Sequence, residues 1–144
     1  MYDKDIIAKA YHIGVVGSRT FDDYEMLEKT LLPIVEKKQK EGYPIFIVSG
    51  GARGADSLAE KFADKYELGK VIYFALWDVY GKSAGYIRNA DIVNMSDEIV
   101  AFWDGVSKGT KHSIDLARTK GKKVTISTEY AKEFLETWEE SKRG

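Results

Sequence analysis

Short apolar, β-branched runs alternate along this chain with segments whose apolar residues recur every three or four positions. The runs fall at 12–18, 45–48, 71–77, 98–105 and 123–127, most of them bounded by Gly, Pro or Ser. That is how buried strands read. Between them, Tyr24, Leu27, Leu31, Ile34 and Val35 share one helical face, as do Leu58, Phe62 or Ala63, and Tyr66. Tyr86, Ile87, Ala90 and Val93 or Asn94 mark a third helix, and Ile114 with Ala117 a fourth. Asp22 or Asp23 is positioned to cap the first helix, Pro33 predicts a kink or break inside it, and Gly121 closes the fourth. Residues 78–85, with two glycines, read as a loop. A last amphipathic helix over 129–142 carries Tyr130, Phe134, Leu135 and Trp138; an exposed part of that stripe could serve a homo-oligomer.

Strand and helix alternate five times, the pattern of an open, doubly wound, mainly parallel five-stranded α/β sheet flanked by helices. The 71–77 run, apolar at successive positions, suits a strand covered on both faces. No repeat or linker interrupts the pattern, so residues 1–144 read as a single domain with a core over 12–127.

Composition narrows the function classes. The net charge of -1 argues against broad, sequence-independent contact with nucleic acid, which draws on many Lys and Arg. Extended nucleic acid is therefore not expected as a partner. The chain has no cysteine, which excludes disulfides, a thiol nucleophile and a thiolate metal site. Only His12, beside the first strand, and His112, on helix surface, are available as imidazole ligands, so no metal is expected. No apolar run reaches bilayer length and residues 1–5 lack a signal-peptide pattern, so no membrane partner is expected and the reading is cytoplasmic.

In open sheets of this kind, ligands bind beyond the carboxyl ends of the strands. The unusual residues collect there: Gly17, Ser18 and Arg19 after the first strand, Ser49 to Asp56 after the second, Trp77 and Asp78 after the third, and Trp103, Asp104, Ser107, Gly109 and Thr110 after the fourth. Glycines at a strand-to-helix turn let backbone N–H groups approach an anion, and Arg53 adds a forked cation. Ser49, Gly51, Arg53, Gly109 and Thr110 are thus expected to hold phosphate, with Gly50 and Gly54 among the ligand-binding residues. The alternative for the glycines is a tight turn that packs the second helix on the sheet. Arg88 and Asn89, in the first turn of the third helix, are expected to reach the same pocket. Asp56 reads either as a helix cap or as a ligand to a ribose hydroxyl or water, and Asp104 either as a turn residue or as a ligand group. If the protein is an enzyme, these two are the catalytic carboxylates. Trp103 reads as core or as a stacking surface for a base, and Trp77 more as core.

Four ordered motifs carry a resemblance: Gly17-Ser18-Arg19 with Asp22-Asp23; Ser49 to Asp56; Ala84-Gly85 with Arg88-Asn89; and Phe102-Trp103-Asp104-Gly105 with Ser107 and Gly109-Thr110. Together they resemble the YspA-like branch of the SLOG superfamily, which is named for Smf/DprA and the LOG enzymes. The resemblance implies a Rossmann-like fold, a ligand such as ADP-ribose or an NAD-like compound, no other cofactor, and a role in phage or bacterial conflict systems. Two departures matter. LOG enzymes place a catalytic glutamate where this chain has Ser113, and the DprA-like element continues to an Ala-His pair where this chain has Ala59-Glu60. The leading expectation is a sensor or sink for a nucleotide-derived small molecule. The alternatives are a nucleotide N-glycoside hydrolase, using Asp56 or Asp104 with Arg53 and Arg88, and a DprA-like binder of single strands.

Overall fold

The computed structural model describes residues 9–127. Its elements are β1 (Tyr11–Gly17), α1 (Tyr24–Lys40), β2 (Ile45–Ser49), α2 (Ala55–Lys65), β3 (Gly69–Ile72), α3 (Trp77–Tyr80), a 3-10 turn (Gly81–Ser83), α4 (Ala84–Met95), β4 (Glu98–Phe102), α5 (Lys108–Thr119) and β5 (Lys123–Ile126). The strands form one sheet, order β3-β2-β1-β4-β5, every neighbouring pair parallel. The expected helix over 129–142 lies outside the described residues.

Successive residues of a strand face opposite sides, so strands covered twice must be apolar throughout. On one side, Ile13, Val15, Ile45, Ile47, Val100 and Phe102 meet Leu27, Leu31 and Val35 of α1 and Ala55, Ala59, Phe62 and Ala63 of α2. On the other, Val16, Val48, Ile99 and Ala101 meet Ile92 and Val93 of α4 and Ile114 and Ala117 of α5. Each fully buried Leu, Val or Phe stabilises the fold by about 1.5–3 kcal/mol relative to exposure.

The first two crossovers run outward from β1 to β3; the third returns to β4 on the other side of β1. Strand order therefore reverses between β1 and β4. Both strands stop together there, with the Ser18 N–H donating to the Phe102 carbonyl at 3.1 Å. The crevice beyond that point is where a doubly wound sheet takes its ligand.

Several expectations need correction. The third strand ends at Ile72, not at residue 77, and is a half-buried edge strand. Its neighbour β2 gives way to the glycine loop after Ser49, so the ladder closes with the Tyr73 N–H donating to the Ser49 carbonyl at 2.9 Å. Phe74, Leu76 and Trp77 then emerge as exposed side chains. The expected loop over 78–85 is instead α3, the 3-10 turn and the start of α4. Pro33 does not break α1, which runs for 17 residues under the Asp23 cap. Its ring is exposed, while Leu31 and Val35 anchor the turns around it. Tyr86 is exposed rather than on the core face of α4, its ring meeting His112 edge-on at 4.6 Å. Half-buried His112 thus has a neighbour rather than open surface. His12 lies inside β1, buried and stacked on Phe46 at 5.5 Å.

Candidate functional site

Three loops at the carboxyl edge of the sheet are held to one another. Phe21, buried against Phe102 at 4.8 Å between centroids, pins the loop after β1. Gly54 passes so close to that loop that a Cβ would sit 2.3 Å from the Ser18 carbonyl oxygen, and its φ of +77° is one that side chains disfavour. The Ala55 N–H donates to the same carbonyl at 3.3 Å. Ser18 in turn accepts from the Asp104 N–H through Oγ at 3.2 Å, tying in the loop after β4.

Asp56 is buried at 8% exposure in the first turn of α2. It does not cap that helix; Gly54 occupies the cap position. Its Oδ2 accepts from the Ala52 N–H at 3.1 Å and so braces the glycine loop. Burial pushes its carboxyl up to about 6, against the opposing pull of the Ala52 hydrogen bond and the Arg88 charge. Arg88 donates through Nη1 to the Gly50 carbonyl at 2.8 Å and through Nε to Asn89 Oδ1 at 3.0 Å, while burial lowers its pKa. Both of these acceptors are neutral oxygens, and a guanidinium has five N–H donors to offer. Asn89, also buried, donates to the Gly109 carbonyl at 3.3 Å and so links α4 to the start of α5.

Asp104 is a turn residue. Its Oδ1 accepts from the Val106 N–H at 2.9 Å and the Ser107 N–H at 2.8 Å. Burial raises its pKa, but the bonds from Ser107, Val106 and Ser18 outweigh that and hold the carboxyl below its ordinary value. The turn delivers the N-terminus of α5, which has no side-chain cap and leaves its first N–H groups without helical partners. The hydroxyls of Ser107 and Thr110 lie 3.1 Å apart beside it.

These parts enclose a cavity of about 330 Å³. Of the sequence-predicted residues, Gly17, Ser18, Arg19, Asp56, Arg88, Asn89, Asp104, Ser107, Gly109 and Thr110 line it. Gly50, Gly51 and Arg53 do not; with Arg19 and Arg88 they line an adjoining cavity of about 300 Å³. Three predicted residues line neither. Ser49 is buried beneath the loop at the end of β2. Gly54 packs closely against the Ser18 backbone. Trp103 packs under α5 and donates through Nε1 to the Ser107 carbonyl at 2.9 Å, so it braces the turn and offers no stacking face to the cavity.

Sequence reasoning missed Thr20, Ala52 and Ser113 in the first cavity and Phe74 in the second. Ser113 had a signal, since it falls one helical turn after Gly109, whose carbonyl its hydroxyl meets at 3.4 Å. Among the described residues no group of three or more His, Asp or Glu is arranged to hold a metal ion. Nor is any described helix long and apolar enough to cross a membrane.

The fold and its crevice define a doubly wound, Rossmann-like α/β protein whose polar site, with two arginines, lies at the topological switch point. The chain belongs to the YspA, cpYpsA-related SLOG family, whose pattern matches residues 12–80. It is 31% identical over 113 residues to the Gene 61 protein of Mycobacterium phage D29, covering 74% of this chain and 88% of that one. Two solved structures share the fold. DNA processing protein A of Helicobacter pylori, described for its single-stranded DNA binding mode, has a TM-score of 0.64 at 18% identity, over 86% of this chain and 68% of its own. DNA processing protein A (DprA) of Streptococcus pneumoniae has a TM-score of 0.70 at 17% identity, over 92% of this chain and 58% of its own. These neighbours overturn the expectation against extended nucleic acid. Overall charge was the wrong guide: a net value says nothing of arginines gathered at one edge.

Proposed function

We propose that the crevice between β1 and β4 binds a phosphate-bearing, nucleotide-derived ligand. One observation carries the reading: Arg88, partly desolvated, lines both cavities while its own hydrogen bonds go to a carbonyl and an amide oxygen. A guanidinium held this way offers a fork to an oxyanion at little entropic cost. The α5 N-terminus, the Ser107 and Thr110 hydroxyls and Arg19 complete a phosphate cradle, and Asp56 faces where a ribose hydroxyl would lie. Small compounds of the ADP-ribose or NAD-like kind are the leading ligands. A single strand is the second reading, favoured by the fold shared with DNA processing protein A.

A thermal-shift series with AMP, ADP-ribose, NAD, inorganic phosphate and a single-stranded oligonucleotide tests this. A ligand at 100 times its Kd stabilises the fold by about 2.7 kcal/mol, and Arg88→Ala is expected to remove most of that shift. Equal shifts in Arg88→Ala and the wild type contradict the reading. Chromatography of the same mixtures separates binding from cleavage. Asp104 is committed to its turn, so release of free base should disappear in Asp56→Asn if the protein hydrolyses the N-glycosidic bond.

A further inference from the structure

The second cavity is built differently from the first. Phe74 and Trp77 line it, exposed at 64% and 52% respectively. Two large rings in water forgo the burial that the same side chains gain in a core. Each is nonetheless supported from one side. The Phe74 ring covers Gly51, where a Cβ would come within 2.5 Å of a ring carbon, so a side chain there would displace the ring. The Trp77 ring lies beside Gly85 in the first turn of α4, 3.4 Å from where a Cβ would stand. Rings held on one side and open on the other are stacking platforms, and every nucleobase has a face to offer them.

Charge says what kind of ring fits. Arg53 joins the aromatics, and Arg19, Ala52 and Arg88 form a wall common to both cavities. An aromatic pocket with guanidiniums at its mouth suits a flat ring that carries an anion one sugar away. A plain apolar side chain would bring no anion to those cations.

We infer that the second cavity is a base subsite, in which an unpaired nucleobase stacks on Phe74 and Trp77 while the phosphate of the same nucleotide lies at the Arg19–Arg88 wall. This rests on the phosphate reading of the crevice given above. The same chemistry is offered by a free nucleotide and by one residue of a single strand.

Calorimetric titration of the wild type, Phe74→Ala and Trp77→Ala with AMP, ribose 5-phosphate and a 5′-phosphorylated hexadeoxyadenylate decides it. Both substitutions fall at exposed positions, and an unchanged melting midpoint verifies the fold. The expected result is a loss of about tenfold in affinity for the base-bearing probes in each variant, with ribose 5-phosphate held within about twofold. A loss for AMP identifies a free nucleotide as the source; a loss for the hexanucleotide alone identifies a strand. Unchanged affinity for AMP and the hexanucleotide overturns the base subsite and leaves the phosphate site standing. An equal loss for ribose 5-phosphate also overturns it, since the rings would then only shape the crevice. A wild type that binds none of the three overturns the phosphate reading and the inference together.

Discussion

At the scale of single residues, the two carboxylates of the crevice have been driven apart by their surroundings. Asp104 accepts two backbone N–H bonds and stays ionised, whereas Asp56, more deeply buried, is held near a pKa of 6. That difference is measurable as stability. With an ordinary value of 3.8 in the unfolded chain, the folded chain retains a proton on Asp56 that the unfolded chain has lost. Stability from this group is full below about pH 4 and falls as the pH rises through about 6, by about 3 kcal/mol in all. Urea unfolding of Asp56→Asn at a series of pH values is expected to lack this decline, and an identical decline in the variant would rule Asp56 out as its source. A carboxyl poised near neutrality is also the one with the pKa of a proton carrier. The turn role of Asp104 was one of the readings its sequence offered, but the difference in pKa was not legible there. Asp56 and Asp104 both fall in glycine-containing strand-to-helix segments, and depth of burial and the count of N–H donors set them apart.

At the scale of elements, α1 isolates what packing does for a helix with an internal proline. A proline there costs about 3 kcal/mol against alanine, yet α1 stays continuous because Leu27, Leu31 and Val35 are buried on both sides of it. Pro33→Ala is expected to stabilise the protein by about 2 kcal/mol, after allowance for the greater freedom alanine gives the unfolded chain. The urea midpoint should rise with an unchanged slope; a lower midpoint would mean that the ring makes contacts α1 needs. The strands and main helices were readable from their periodicity because two faces of one sheet impose it. The end of the third strand was not. Residues 71–77 look alike in sequence, but pairing stops where β2 does, and the run continues as an exposed aromatic segment. Partner length, a nonlocal property, decided where that strand ended. Of the two readings of Trp103 the core one holds, and its indole N–H serves the Ser107 carbonyl across a turn that periodicity does not reveal.

At the scale of the molecule, the alternation of strands and helices already implied a site at the carboxyl edge, because any doubly wound sheet has one. Strand order placed that site between β1 and β4, which sequence alone did not specify. Charge followed the same division. Three arginines, two from loops and one from α4, meet at one edge, while the chain as a whole carries a net charge of -1. Partner class is therefore a local question for this protein, and a near-neutral total neither favours nor excludes a polyanion. The two joined cavities make the crevice long enough for more than a phosphate, which is why base-bearing and base-free probes are the informative pair.

A phosphate-bearing ligand is proposed to enter the crevice at the β1–β4 switch point. Backbone amide chemical shifts of the isotope-labelled protein during titration with AMP test that most directly. The predicted result is a set of shifts concentrated at Ser18, Arg19, Ala52, Arg88, Gly109 and Thr110, lost together in Arg88→Ala. Shifts confined to the opposite edge of the sheet, around Tyr11 and Asp97, or no shifts at the strand carboxyl ends, would contradict it.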